Sequence, residues 1–371
     1  MEKRLDYRPK DSGIMFMLSL FAPSIFVLLV ATIIQLAVPN ISETAYSYIT
    51  LFLNQVGFFL LFIAYNNLTK TNFIKASKIK FNLNIWQILI SIAVGIVALY
   101  GFNYLVSYFE WALTTFGYQS SSFSFIDVSN FGMFLITTLI VCVMPAICEE
   151  LIFRGVVLNG FKKYGKVLMI VFSGLLFSIM HLNIVQSIYQ FVLGMVMACL
   201  VMTTGTIVSS MITHFCNNFI IILLAFLQRN SQTGTASEAW APVTAFDHIK
   251  PFLYAVISVA IIFGLLLLLK KCTKNVEYDL FNFKKQSKDE NQTNIDSNSD
   301  AANSKVADET MCVEPIIQLE PELENGSEQA QQALKQKNDN ASDKFFTICA
   351  FVVGVAMWLI SVGVDLISNI K

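Results

Sequence analysis

Nine stretches of this chain are apolar enough, and close enough to the roughly 20 residues that a bilayer crossing requires, to be membrane spans. They are 14–38, 47–66, 85–108, 131–153, 167–182, 184–204, 206–227, 252–270 and 345–367. A backbone in lipid must satisfy its polar groups internally, so such segments fold as helices. The expectation is an all-α polytopic bundle of about eight or nine transmembrane helices in the cell membrane, with the bilayer as its first partner. Composition agrees, since 55% of the 371 residues are apolar and 14% charged, against about a quarter charged in soluble domains. The first run is too long for a removable leader and lacks its small-residue cleavage site, so it reads as an anchor. The fifth run is short and abuts the sixth, which suggests a bent pair.

Charge sets the orientation and divides the chain. Lys3, Arg4, Arg8 and Lys10 precede span one. Lys70, Lys75, Lys78 and Lys80 follow span two, and Arg154, Lys162, Lys163 and Lys166 follow span four. Lys270, Lys271 and Lys274 follow span eight, on the same side again, while Glu43, Glu110 and Asp127 fill loops on the other. Short loops rich in Lys and Arg stay in the cytoplasm, which predicts a cytoplasmic N-terminus and Lys371 outside. Residues 271–344 hold 15 of the 26 acidic and 9 of the 25 basic side chains, with three aromatics, all before residue 284. That composition buries too little apolar surface to order itself, so it reads as a disordered cytoplasmic insert with at most a short helix. The domains expected are a membrane domain over 1–270 with its catalytic core at about 131–227, the insert at 271–344 and a final transmembrane helix in 345–371. An acidic insert and a net charge of -1 argue against nucleic acid as a partner. The seven cysteines include no CxxC pair and read as buried free thiols.

Ionisable groups at membrane depth cost at least ~2.5–3.5 kcal/mol each, which makes them functional candidates. They are few: Glu149 and Glu150, His181, His214 followed by Asn217 and Asn218, and Asp365. His248 is assigned to an external polar loop, and Asp365, near a span end with no partner motif, reads as structural. Residues four apart share a helix face, so Glu150 pairs with Arg154 and leaves Glu149 free, while His214 and Asn218 project together. A carboxylate in a dry site can serve as general base for a water, with His181 placed to hold that water. Attack on an amide creates an oxyanion, which Asn and His donors stabilise where water is scarce. The set describes peptide hydrolysis needing no nucleophilic side chain, metal or cofactor. Cys148 and Cys216 flank these groups, but no His stands in a triad-like relation to them, and they read as structural.

The segments Glu149-Glu150-Leu-Ile-Phe-Arg154, Phe177-Ser-Ile-Met-His181 and His214-Phe-Cys-Asn-Asn218 resemble the EExxxR, FxxxH and HxxxN signature of the CPBP family. These are the type II CAAX prenyl proteases and bacteriocin-processing intramembrane glutamate endopeptidases. The resemblance covers about residues 131–227. It implies that Glu149 activates the water with His181, that His214 and Asn218 form the oxyanion hole, and that Glu150 and Arg154 support the site. It also implies a peptide or membrane-anchored protein substrate, which in the prenyl-protein branch carries a lipidated cysteine. Two other classes stay open: a zinc-dependent intramembrane protease, although HExxH is absent, and a non-catalytic binding or immunity protein. Glu149 lies five residues before Arg154, which suggests a site near the cytosolic end of span four and open to the cytosol. His181 fits this less well, because fifteen residues separate it from Lys166, ~22 Å along a helix. Span five would have to start outside the hydrocarbon, tilt, or bend near Gly174.

Overall fold

A computed structural model describes residues 3–119, 127–229, 241–273, 276, 280–281 and 320–369, with side chains of the last helix described from 336 onward. Among these residues every run expected to be apolar helix is one. They are α1 (Pro9–Ala37), α2 (Glu43–Leu68), α3 (Ile85–Thr114), α4 (Phe131–Tyr164), α5 (Lys166–Met180), α6 (Ile184–Thr204), α7 (Val208–Gln228), α8 (Ala245–Lys271) and α9 (Glu320–Asn369). Eight of the nine are long and apolar enough to cross a membrane, and the exception is α5, with 15 residues. The molecule is an all-α, multi-pass membrane bundle. Residues 1–279 with 343–371 form one compact unit, and 280–342 a second.

Helix ends differ from the apolar runs for local reasons. α1 starts at Pro9, a residue suited to a first helical turn, and takes in the buried Asp11. That carboxylate is fully engaged: it accepts the Arg8 backbone N–H at 2.7 Å and the Tyr65 hydroxyl at 2.7 Å, and pairs with Arg4. α8 starts at Ala245 because Thr244 and Asp247 cap it reciprocally, so His248 sits in a helical first turn instead of a loop. α9 extends upstream to Glu320, through a stretch of Glu, Gln, Ala, Leu and Lys with high helix propensity. Residues 282–319 of the polar insert lie outside the described residues, as does Cys312. The six described cysteines are free, with Cys142 and Cys148 buried. Asp365 accepts the Tyr118 hydroxyl at 2.8 Å and Asn369 Nδ2 at 2.7 Å, a local structural role.

Hydrogen bonds tie the helix ends into two layers. In the first, Asn72 N donates to Arg4 O (2.8 Å), Tyr7 to Asn66 Oδ1 (2.7 Å), Lys162 to Asp6 (3.1 Å) and Thr206 Oγ1 to Lys80 O (2.9 Å). Asn84 Nδ2 donates to Cys272 O at 3.0 Å, and Lys163 pairs with Asp343. All the lysine-bearing turns named above therefore meet at one end of the bundle. At the other end Tyr48 donates to Asp127 O (3.0 Å), Gln119 N to Asn369 O (2.9 Å) and Ser361 Oγ to Leu182 O (2.8 Å). Between these layers α5 and α6 cross at two glycines. A Cβ on Gly194 would stand 2.7 Å from Gly174 Cα, and one on Gly174 2.7 Å from Phe191 O, a backbone approach that small residues permit in membrane helices.

Candidate active site

α4 supplies the acidic pair and is not a uniform helix. Its α-helical segment Met144–Glu150 is flanked by π-helical turns at Thr138–Val143 and Leu151–Val157, irregularities that recur at functional sites. Pro145 has no N–H to give the carbonyl four residues earlier, Val141. Asn218 of α7 meets that carbonyl instead, through Nδ2 at 3.0 Å. A carboxamide nitrogen carries two hydrogens, so one remains.

Behind the site lies a buried ion pair. Glu150 and Arg154 are both 0% exposed. Arg154 donates to Glu150 Oε1 at 2.8 Å and to Gly194 O at 3.1 Å, with its guanidinium carbon 4.5 Å above the Phe177 ring. The same Glu150 oxygen meets His214 Nδ1 at 3.0 Å. Arg154 is thus an internal counter-ion and not a residue of the membrane boundary, which is why α4 runs on to Tyr164. Glu149 consequently lies fifteen residues from that end, ~22 Å at helical rise, the same as His181 from Lys166. The two share a depth without any bend at Gly174.

Glu149 is 7% exposed and points away from the pair. Its Oε1 accepts Gln55 Nε2 of α2 at 3.3 Å, while Oε2 has no hydrogen-bond partner among the described residues. His181 caps α5, and its Nδ1 donates to Phe177 O at 2.8 Å. A carbonyl only accepts, so Nδ1 carries the hydrogen and Nε2 is the ring nitrogen left over. The Phe177 ring contacts both imidazoles edge-on, with centroids 4.7 Å from His181 and 5.9 Å from His214.

One cavity of about 470 Å³ gathers Glu149, His181, His214 and Asn218 from α4, α5 and α7. Glu150 and Arg154 are outside its lining. Its wall adds Asn103 of α3, Gln186, Tyr189 and Gln190 of α6, and Asn217, whose Oδ1 accepts the Tyr189 hydroxyl. Gln55, Asn103, Tyr189 and the two α6 glutamines escape a reading of the sequence, because a lone amide or phenol in an apolar run belongs to no motif. Among the described residues no three His, Cys, Asp or Glu side chains gather as a metal-binding group.

Residues 131–220 match a family model described as type II CAAX prenyl endopeptidase Rce1-like. The match contains all three motifs and every cavity residue of α4 to α6, and ends just before Ile221. No curated protein and no solved structure matches the chain. Within a multi-pass membrane bundle, residues 131–220 are therefore similar to the type II CAAX prenyl endopeptidase family, a likeness that supports intramembrane proteolysis as the general activity.

Proposed function

We propose that the chain is an intramembrane endopeptidase in which Glu149 activates a water, acting on a peptide or membrane-anchored protein. The observation that carries this reading is the meeting of Glu149, His181, His214 and Asn218, from three helices, on one cavity of a size that suits a bound segment. Glu149 Oε2 is the unengaged carboxylate oxygen, and it takes the proton of a water that His181 Nε2 also orients. The water oxygen bonds to the peptide carbonyl carbon, and the carbonyl oxygen becomes the oxyanion. The spare Asn218 hydrogen donates to it. His214 commits Nδ1–H to Glu150, so it donates through Nε2 only as an imidazolium, and Glu150 is the counter-ion this form needs. The proton held by Glu149 then passes to the departing nitrogen as the C–N bond breaks, leaving a new carboxyl and a new amine. Gln55 fixes Glu149 from the side opposite the water.

The test is Glu149→Gln in purified, vesicle-reconstituted protein presented with a membrane-anchored reporter peptide. The substitution keeps shape and removes the base, so cleavage is expected to fall by about 10²–10⁴ while insertion and melting stay as in the parent. Turnover at the parental rate removes the glutamate mechanism.

A further inference from the structure

We infer that the cavity takes its substrate from the membrane face opposite the lysine-rich turns. The substrate is then a segment of a membrane-anchored polypeptide at the non-cytoplasmic surface. This rests on the hydrolytic reading above and departs from the cytosolic opening that the sequence suggests.

The first support is where the lining residues fall along their helices. His181 caps α5 at the far end from Lys166, and the next carbonyl, Leu182 O, already belongs to the opposite hydrogen-bonded layer. Gln186 and Gln190 are two and six residues into α6 from that same end, with Thr204 at the lysine end. Leu51 is eight residues into α2, Val106 eight residues before the end of α3, and Ile222 six before the end of α7, each counted from the end remote from the lysines. Measured from the lysine end, Asn103 lies eighteen residues along α3, ~27 Å at helical rise. His214, six residues into α7 from the lysine end, forms the deep floor, and the cavity extends from it away from the lysines.

The second support is charge. Arg4, Lys70, Lys75, Lys78, Lys80, Lys162, Lys163, Lys166, Lys270 and Lys271 occupy the one end, against Arg229 and Lys250 among the described residues at the other. Such a bias marks the cytoplasmic side. The third is the chemistry of the wall. Asn103 is exposed at a depth where an amide facing acyl chains would be costly, and Gln190 Oε1 is buried with no donor among the described residues. Both suit a wet cleft whose occupant brings N–H groups, as a peptide backbone does.

Sidedness can be read without turnover. In intact cells the full chain carrying Asn103→Cys is expected to gain label from a charged, membrane-impermeant maleimide above the background of the parent chain. Lys75→Cys, on the exposed lysine-rich turn, is expected to gain label only after permeabilisation. Label on Asn103→Cys only after permeabilisation, or on Lys75→Cys in intact cells, overturns the inference. A chain that labels as expected while Glu149→Gln still cleaves leaves sidedness intact and removes the glutamate mechanism alone.

Discussion

Arg154 and Glu150 are the residues whose roles separate most cleanly from the chemistry. Their i,i+4 spacing announces the pair, but nothing in the sequence says that it is wholly enclosed or that His214 and Gly194 O share it. Arg154→Met would strand a buried carboxylate, which costs about 3–5 kcal/mol. A large drop in melting temperature is expected even when activity is not assayed. Asn218→Ala removes the proposed oxyanion donor, and kcat is expected to fall by about 10²–10³ with KM little changed, measured on the reporter peptide. Outside the membrane, burial pushes the Tyr7 hydroxyl up to about 12 from 10.0. The folded protein holds the phenol neutral, so this contribution to stability is complete below pH 10 and is lost as pH rises toward 12. Melting at pH 9 and pH 11 should differ less in Tyr7→Phe than in the parent. The four proposed catalytic side chains were legible because ionisable and amide groups are rare in apolar helices. Gln55 and Tyr189 were not, because their meaning comes from partners 94 and 28 residues away.

At the level of elements, hydrophobic runs located all nine helices, since lipid leaves a helix as the one way to satisfy the backbone. Their ends were less legible, because apolarity is blind to charges neutralised locally: Asp11 lies inside α1 and Arg154 inside α4, each with its partners. The π-turns around Glu149 have no simple sequence mark beyond Pro145. The crossing of α5 and α6 was also hidden, although Gly174 and Gly194 are visible residues. A methyl at Gly194 has backbone at 2.7 Å in its way, so Gly194→Ala must push α5 aside and move His181 relative to Glu149. Overpacking of this kind costs about 1–3 kcal/mol. Lower melting is expected together with lost cleavage that a second-site change at Glu149 cannot worsen.

For the molecule as a whole, every described residue lining the cavity falls between 51 and 222. Deleting residues 284–318 is therefore expected to leave cleavage of a reporter peptide unchanged in vesicles, and a loss would assign that segment to substrate handling. Chelator treatment is likewise expected to leave turnover intact, since the proposed steps use only Glu149, two imidazoles and a carboxamide. A zinc enzyme would lose it. The class of reaction was legible from three spaced motifs, but the enclosure of Arg154 was not, because it looks like a boundary charge until its burial is seen.

The shortness of α5 has a bearing on the lipid itself. Fifteen residues reach ~22 Å, well under the ~30 Å of an average hydrocarbon slab, and such a mismatch draws the bilayer thinner around the helix. Head groups dipping toward His181 would bring water and a polypeptide stem closer to the floor of the cleft than a flat leaflet could. Turnover should then depend on acyl-chain length, fastest in short-chain vesicles and slowing as the slab thickens, which makes membrane thickness a setting on the enzyme's rate.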